Sequence, residues 1–222
     1  MATTVTSIFS RVRHLLVDAN GDRWTDAELL AWLAEAQQVA VIVKPDAYTR
    51  RESFTCAAGT LQTLPAGGVQ ILDVIRNLSG NLRAIRKVAR FALDTEQPNW
   101  HSAPPSDEIR AFTTDERDPK TFYVYPPALL TPDVADTPIE ILYSKTPPAP
   151  TMAGSIALDD VYAAPLIDYV AHRAFSKDAE NQPSMDRAMT HYQRFIGALV
   201  GKQAVEATEA PVIANNASAV PE

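Results

Sequence analysis

Thr25-Asp26-Ala27-Glu28-Leu29-Leu30-Ala31-Trp32-Leu33-Ala34-Glu35-Ala36-Gln37 is where the sequence first commits to a structure. Thr25 followed by Glu28 is a capping box: the hydroxyl accepts from the third helical amide and the carboxylate reaches back to the Thr25 amide. Behind the cap, Leu29, Leu33, Ala36, Ala40 and Val43 fall on one helical face, and Pro45 ends the run. Upstream, Ser7 to Val17 places Ile8, Val12, Leu15 and Leu16 on one face as well, and Asp18 to Trp24 reads as a loop around Gly21. The N-terminal 45 residues are therefore expected to be two antiparallel helices.

After Pro45 the texture changes. Phe54-Thr55-Cys56 and Thr60 to Leu64 flank Ala57-Ala58-Gly59, a short hairpin signal. Val69 to Leu78 is long and β-branched, Asn77 to Asn81 is turn-like, and Leu82 to Val88 can serve as its partner strand. Ala89 to Asp94 suits one or two helical turns. Ile109 to Thr113, Thr121 to Tyr125 and Ile139 to Tyr143 are further strands. Eleven of the 17 prolines lie between Pro98 and Pro150. Proline removes a ladder donor, so short strands with stiff loops are expected, in a small antiparallel sandwich or barrel.

Helices return at Asp159-Asp160, which supplies a cap and a favourable charge at a helix start. Tyr162 to Asp178 carries Leu166, Tyr169, Val170 and Ala174 on one face. After a turn at Asn181 to Ser184, a last helix runs from about Ser184 to about Gln203, with Met185, Met189, Tyr192, Ile196 and Leu199 as its stripe. Residues 203–222 hold six alanines, three glutamates, two prolines and no aromatic or basic residue. Such a segment cannot bury enough apolar surface to order itself, so an extended arm is expected that orders on a partner. Its anchors would be Val205, Pro211, Val212, Ile213 and Val220.

Composition narrows the function. With 46% apolar residues the 222-residue chain can bury a core, and its net charge of −7 argues against a protein that grips nucleic acid through the phosphates. A single cysteine, Cys56, forbids a disulfide framework within the chain. The N-terminal residues lack a signal-peptide pattern and no run is long enough for a membrane span, so residence in a cytoplasm is expected. The sequons at Asn77 and Asn216 are then chance patterns.

Candidate chemistry is sparse. His172 and His191 lie on consecutive helices, but a metal site needs a third ligand and no His-x-x-x-His or Glu-x-x-His accompanies them. Asp159 and Asp160, being adjacent, suit a helix cap better than a catalytic pair. Cys56, in a strand with no histidine near it, reads as a buried thiol. No nucleophile elbow, phosphate loop or dinucleotide fingerprint occurs. No catalytic residue, cofactor or metal is therefore assigned. Gly197 and Gly201 are read as a close approach of the last helix to a neighbour, or as fraying. Arg173, Lys177, Asp178 and Glu180 read as a solvated helix terminus with local pairs, or else as a contact between subunits.

Several stretches in order have a familiar look: Trp32 to Gln37; Leu64-Pro65 leading into Ile71 to Asn77; Phe122-Tyr123-Val124-Tyr125-Pro126-Pro127; Tyr143-Ser144-Lys145-Thr146-Pro147-Pro148; and Asp168 to Glu180. Together they resemble the head-to-tail adaptors of short-tailed phages, the tail-tubular-A type, from about Thr25 to Leu199. The resemblance implies a dodecameric ring under the portal protein, a helical bundle and a β domain per subunit, a continued DNA channel, a platform for the tail nozzle and C-termini reaching along the portal. It implies no catalytic residue. The virion's head-tail junction, after assembly in the host cytoplasm, would be the location.

The expected fold is α+β. Residues 1–45 and 159–202 supply the N- and C-terminal helices of one bundle. Residues 46–158 form an inserted antiparallel β-sandwich or barrel-like domain, and 203–222 an extended C-terminal arm. The expected function is a structural ring subunit that binds itself, the portal and the nozzle, with DNA passing without specific binding and no membrane contact. The alternatives are another neck or tail-completion ring protein, or a small enzyme with dispersed site residues.

Overall fold

The computed structural model describes residues 2–130, 137–178 and 182–209, with side chains to residue 201. The chain divides into two compact units. One comprises 1–48 and 146–211; the other comprises 49–145 together with 212–222, of which the last lies outside the described residues. The fold is α+β.

The helical unit begins with α1 (Val5–Leu16), capped by the Thr4 hydroxyl, which accepts from the Ser7 amide. Val5, Ile8, Phe9 and Val12 are buried, so the apolar face is rotated toward the helix start and Leu15 is left half exposed. α2 (Asp26–Val43) has the full capping box at Thr25 and Glu28. It buries Leu29, Leu33, Ala36 and Ala40 together with Trp32 and Gln37. A 3-10 turn at Pro45–Ala47 follows, and Lys44, 1% exposed, places its ammonium 3.4 Å from Asp46 at the negative end of α2.

The C-terminal half of the unit opens on a 3-10 turn, Asp160–Tyr162, in which the Asp159 carboxylate accepts from the Val161 amide. It feeds α4 (Ala163–Lys177), numbered after the short helix α3 of the β unit, and then α5 (Gln182–Glu209). All four expected core residues of α4 are buried, and Ala163, Ile167 and Ala171 join them. α5 runs on to Glu209, beyond the expected start of an extended arm at Gln203. Alanine and glutamate are strong helix formers, and Ala204, Glu206, Ala207 and Glu209 extend the helix.

The two halves of this unit are stitched at their starts. Thr4 pairs with Ser155 as an antiparallel bridge, the Val5 amide donates to the Gly154 carbonyl (3.0 Å) and the Ile156 amide to Thr3 (3.0 Å). The Gln37 side chain, from the middle of α2, accepts from the Ala157 amide at 2.7 Å.

In the β unit, β1 (Thr49–Thr55), β7 (Pro138–Lys145) and β3 (Gly68–Asn77) form one antiparallel sheet in the order β1-β7-β3. A second sheet has the order β2-β6-β5-β4, from β2 (Gly59–Thr63), β6 (Asp118–Ala128), β5 (Ala111–Asp115) and β4 (Arg86–Lys87). Phe112, Phe122 and Val124 of one sheet share a core with Val74, Ile139, Ile141 and Tyr143 of the other. The short helix α3 (Arg90–Glu96) matches the expected turns after Ala89. Trp100 is buried and donates its indole N–H to Asp94 (2.9 Å), with His101 stacked on it and Tyr123 at its edge.

Two expected hairpins do not form as such. β1 and β2 are joined by 56–58 but sit in different sheets. Gln62, 1% exposed, explains the crossing: its carbonyl accepts from the Ala57 amide (2.7 Å) and its amide donates to Ala57 (2.8 Å) and Gly59 (3.2 Å). The side chain supplies the hydrogen bonds a hairpin ladder would have made. β3 and the following segment begin as a hairpin at Arg76 and Ala84, after which the chain leaves to pair β4 parallel to β5. Asn77, buried, drives this departure by donating to Arg83 and Ile109 and accepting from the Ile109 amide. Its committed, buried amide also removes it as a glycan acceptor.

α1 ends on Val17 in the left-handed region, φ 53° and ψ 40°, with the Asp18 amide bonded back to Arg13. Glycine is the usual residue here; a β-branched side chain costs roughly 1–2 kcal/mol of strain. Two outcomes are expected from thermal or urea unfolding. Gln62→Ala should lose about 2–3 kcal/mol, because it strands buried backbone groups of the crossing loop. Val17→Gly should gain about 1 kcal/mol.

Candidate functional site

The residues that suggested chemistry are each occupied by structure. His172 places Nδ1 2.9 Å from the Ala188 carbonyl. A carbonyl only accepts, so Nδ1 carries the proton and cannot act there as a base toward Ser176, 3.4 Å away. His191 places Nδ1 2.7 Å from Asp168 and stacks on Phe175. The two histidines thus tie α4 to α5 at separate points and do not share a ligand. Asp160 accepts from the Thr3 amide at 2.5 Å, and Asp159 caps the turn beside it, so the pair diverges. The Cys56 thiol is buried, and burial pushes its pKa up to about 12. Among the described residues no group of three or more metal-ligating side chains forms, and no helix is long and apolar enough to cross a membrane.

The charge cluster at the end of α4 reaches farther than a local helix terminus. Arg173 pairs with Glu35 at 3.3 Å, Lys177 bonds Glu28, and Asp178 bonds Arg23. These pairs tie the last turns of α4 to α2 and the loop before it. Lys177 and Arg23 also lie over the Trp24 ring, which meets Trp32 edge to face. Glu180 lies outside the described residues. Gly197 and Gly201 face open space, so no close approach among the described residues explains them. Of the expected arm residues, Val205 lies in the helical part of α5 but its side chain is not described; Pro211, Val212, Ile213 and Val220 lie outside the described residues.

Arg13 is a residue that helical periodicity alone overlooks. Its guanidinium donates to the Trp24 carbonyl (3.0 Å), Asp18 (3.3 Å) and Asp26 (2.5 Å), and so folds the α1–α2 loop around one cation. Burial alone would raise the pKa of Asp18, but the backbone N–H groups of Trp24, Arg23 and Asp22, then Arg13, outweigh it and hold the carboxyl below its usual value. Glu28 is lowered by the hydrogen bond from Lys177 and the Thr25 amide, and Asp160 by the bonds from Thr3.

What the helical unit offers outward is surface. The last helix is only half covered: Ala188, Phe195 and Leu199 are buried, whereas Met185, Met189 and Tyr192, expected in its core stripe, stay 50%, 56% and 38% exposed. The stripe is wider than the strip α4 covers. On the other flank of α5, Arg187, His191 and Arg194 line a groove of about 390 Å³ with Leu15 and Phe175. This geometry suits contact with other chains better than catalysis.

The family model for the SU10 adaptor protein matches residues 3–216. The chain belongs to the SU10 adaptor protein family. The match spans both units, so the helical ends and the β insertion are parts of one phage adaptor, a structural component of the virion. Among curated proteins none matches the chain. Membership accounts for a surface-rich helical unit whose titratable groups serve as caps and ties.

The lowered carboxylates set an acid limit. A carboxyl with a depressed pKa stabilises the fold fully above its unfolded value, near 3.8 for Asp18 and Asp160 and 4.5 for Glu28. That stability is lost as pH falls through the folded value. Melting followed from pH 6 to pH 2 should therefore show the midpoint falling below about pH 4.5, and Asp18→Asn should flatten the fall.

Proposed function

We propose that this adaptor is a ring subunit at the head-to-tail junction, of the tail-tubular-A type found in short-tailed phages. It joins the portal to the tail nozzle in a dodecamer and continues the DNA channel. The observation that carries this reading is the adaptor-family match over residues 3–216. The helical unit supports it, because a ring subunit needs a fixed frame and here the two chain ends are hydrogen-bonded into one unit. The net charge of −7 suits a channel that lets DNA slide during ejection without specific binding.

Residues beyond Leu199, the last buried side chain among the described residues, would attach the ring to the portal, with Val205, Pro211, Val212, Ile213 and Val220 as the apolar contacts. Mass measurement of the chain mixed with the portal of the same virus, against each alone, tests the reading: a ring-sized complex is expected, and two unmixed species would overturn it. A chain ending at Lys202 should keep its cooperative melt and lose at least tenfold in portal affinity, about 1.4 kcal/mol. Undiminished binding would remove the arm from the interface.

A further inference from the structure

The loop between α1 and α2 carries the only Asn-Gly pair of the sequence, Asn20-Gly21. The fold demands the glycine. Gly21 has φ +74°, and a Cβ there would lie 2.6 Å from Nη1 of Arg13. Glycine takes that conformation without strain and lets the guanidinium pass so close. The same missing side chain leaves the Gly21 amide nitrogen unhindered as a nucleophile toward the carboxamide before it. Asn20 is exposed, and its side chain has no hydrogen-bond partner among the described residues.

The closed loop withholds that nucleophile. The Gly21 N–H donates to the Asp18 carbonyl at 3.2 Å. Nη1 of Arg13 approaches the same carbonyl at 3.5 Å, and the Asp18 carboxylate accepts from the amides of Arg23 (3.3 Å) and Trp24 (3.0 Å). Freeing the Gly21 amide therefore means opening the turn that Arg13 and Asp18 hold shut. A group that reacts only from a locally open state reacts in proportion to the population of that state.

We propose that Asn20 is a site of spontaneous deamidation, gated by closure of the α1–α2 loop around Arg13. In the open loop the Gly21 amide gives its proton to hydroxide, and its nitrogen attacks Cγ of Asn20. The new N–Cγ bond closes a succinimide ring. The Cγ–Nδ2 bond breaks, and Nδ2 takes a proton from water and leaves as ammonia. Water then opens the ring: addition at Cγ gives aspartate, and addition at the main-chain carbonyl carbon gives isoaspartate. Either product sets a further carboxylate beside Asp18, Asp22 and Asp26, in a loop that folds around the cation of Arg13. Isoaspartate also lengthens the backbone by a methylene inside the Asp18–Gly21 turn. That turn can no longer close on the Asp18 carbonyl in its former geometry, so the reaction is a one-way release of the joint between α1 and α2.

The test ages the full chain at mildly alkaline pH. Mass spectrometry of the peptide holding Asn20 reads the exchange of NH2 for OH, and isoaspartate methyltransferase marks the isoaspartate. Conversion at Asn20 should be slowest in the folded chain, rise with urea below the global transition, and be at least about tenfold faster in the unfolded chain. Arg13→Ala should speed it about tenfold under native conditions. If that variant does not fold, the urea series on the unsubstituted chain carries the test. The aged chain should melt at a lower temperature than the fresh one, while Asn20→Gln aged in parallel should not change. Equal rates in folded and unfolded chains overturn the gate. An unfolded chain that keeps its Asn20 carboxamide overturns the site, and an aged, converted chain with an unchanged midpoint overturns the release of the joint.

Discussion

Helix α4 cannot stand alone. Ala163, Pro165, Leu166, Ile167, Tyr169, Val170, Ala171 and Ala174 are all buried, so apolar side chains leave it on nearly every side. A helix apolar around most of its circumference must be surrounded. α1 and α2 come from one end of the chain and α5 from the other, and all three contact α4. The Thr4–Ser155 bridge and the Gln37–Ala157 hydrogen bond fix the register in which the ends meet. Isolated helices of this length are marginal in water, so neither end would hold its structure without the other.

Much of this was legible before any coordinates. The Thr25–Glu28 box, the Pro45 stop, the Asp159 cap and the four core residues of α4 all follow from local periodicity and capping, because these signals act within one or two turns. The strand pairings were less legible. Whether β1 and β2 form a hairpin is decided by Gln62, whose side chain replaces a ladder; nothing in strand alternation marks a glutamine for that work. The same holds for Asn77 and Arg13, which act on backbone groups many residues away. The arm was placed too early because weak apolar content was read as absence of structure, while alanine and glutamate carry α5 on to Glu209.

The family was legible through one pattern. His172, His191, Asp159 and Asp160 each have a hydrogen-bond partner within the helical unit. The adaptor-like stretches pointed to the class to which the chain belongs. The outward surfaces could not be found in the sequence, since exposure of Met185 and Met189 depends on how much of α5 is covered by α4. Val17 was equally hidden: only its backbone conformation distinguishes it from an ordinary helix residue.

The account depends on the two chain ends forming one cooperative helical unit. Native-state hydrogen exchange of the full chain in rising urea measures this directly. Amides of α1, α2 and α4 should converge on one opening free energy with one denaturant slope. Release of α1 and α2 in an earlier, separate step, with α4 still protected, would contradict it.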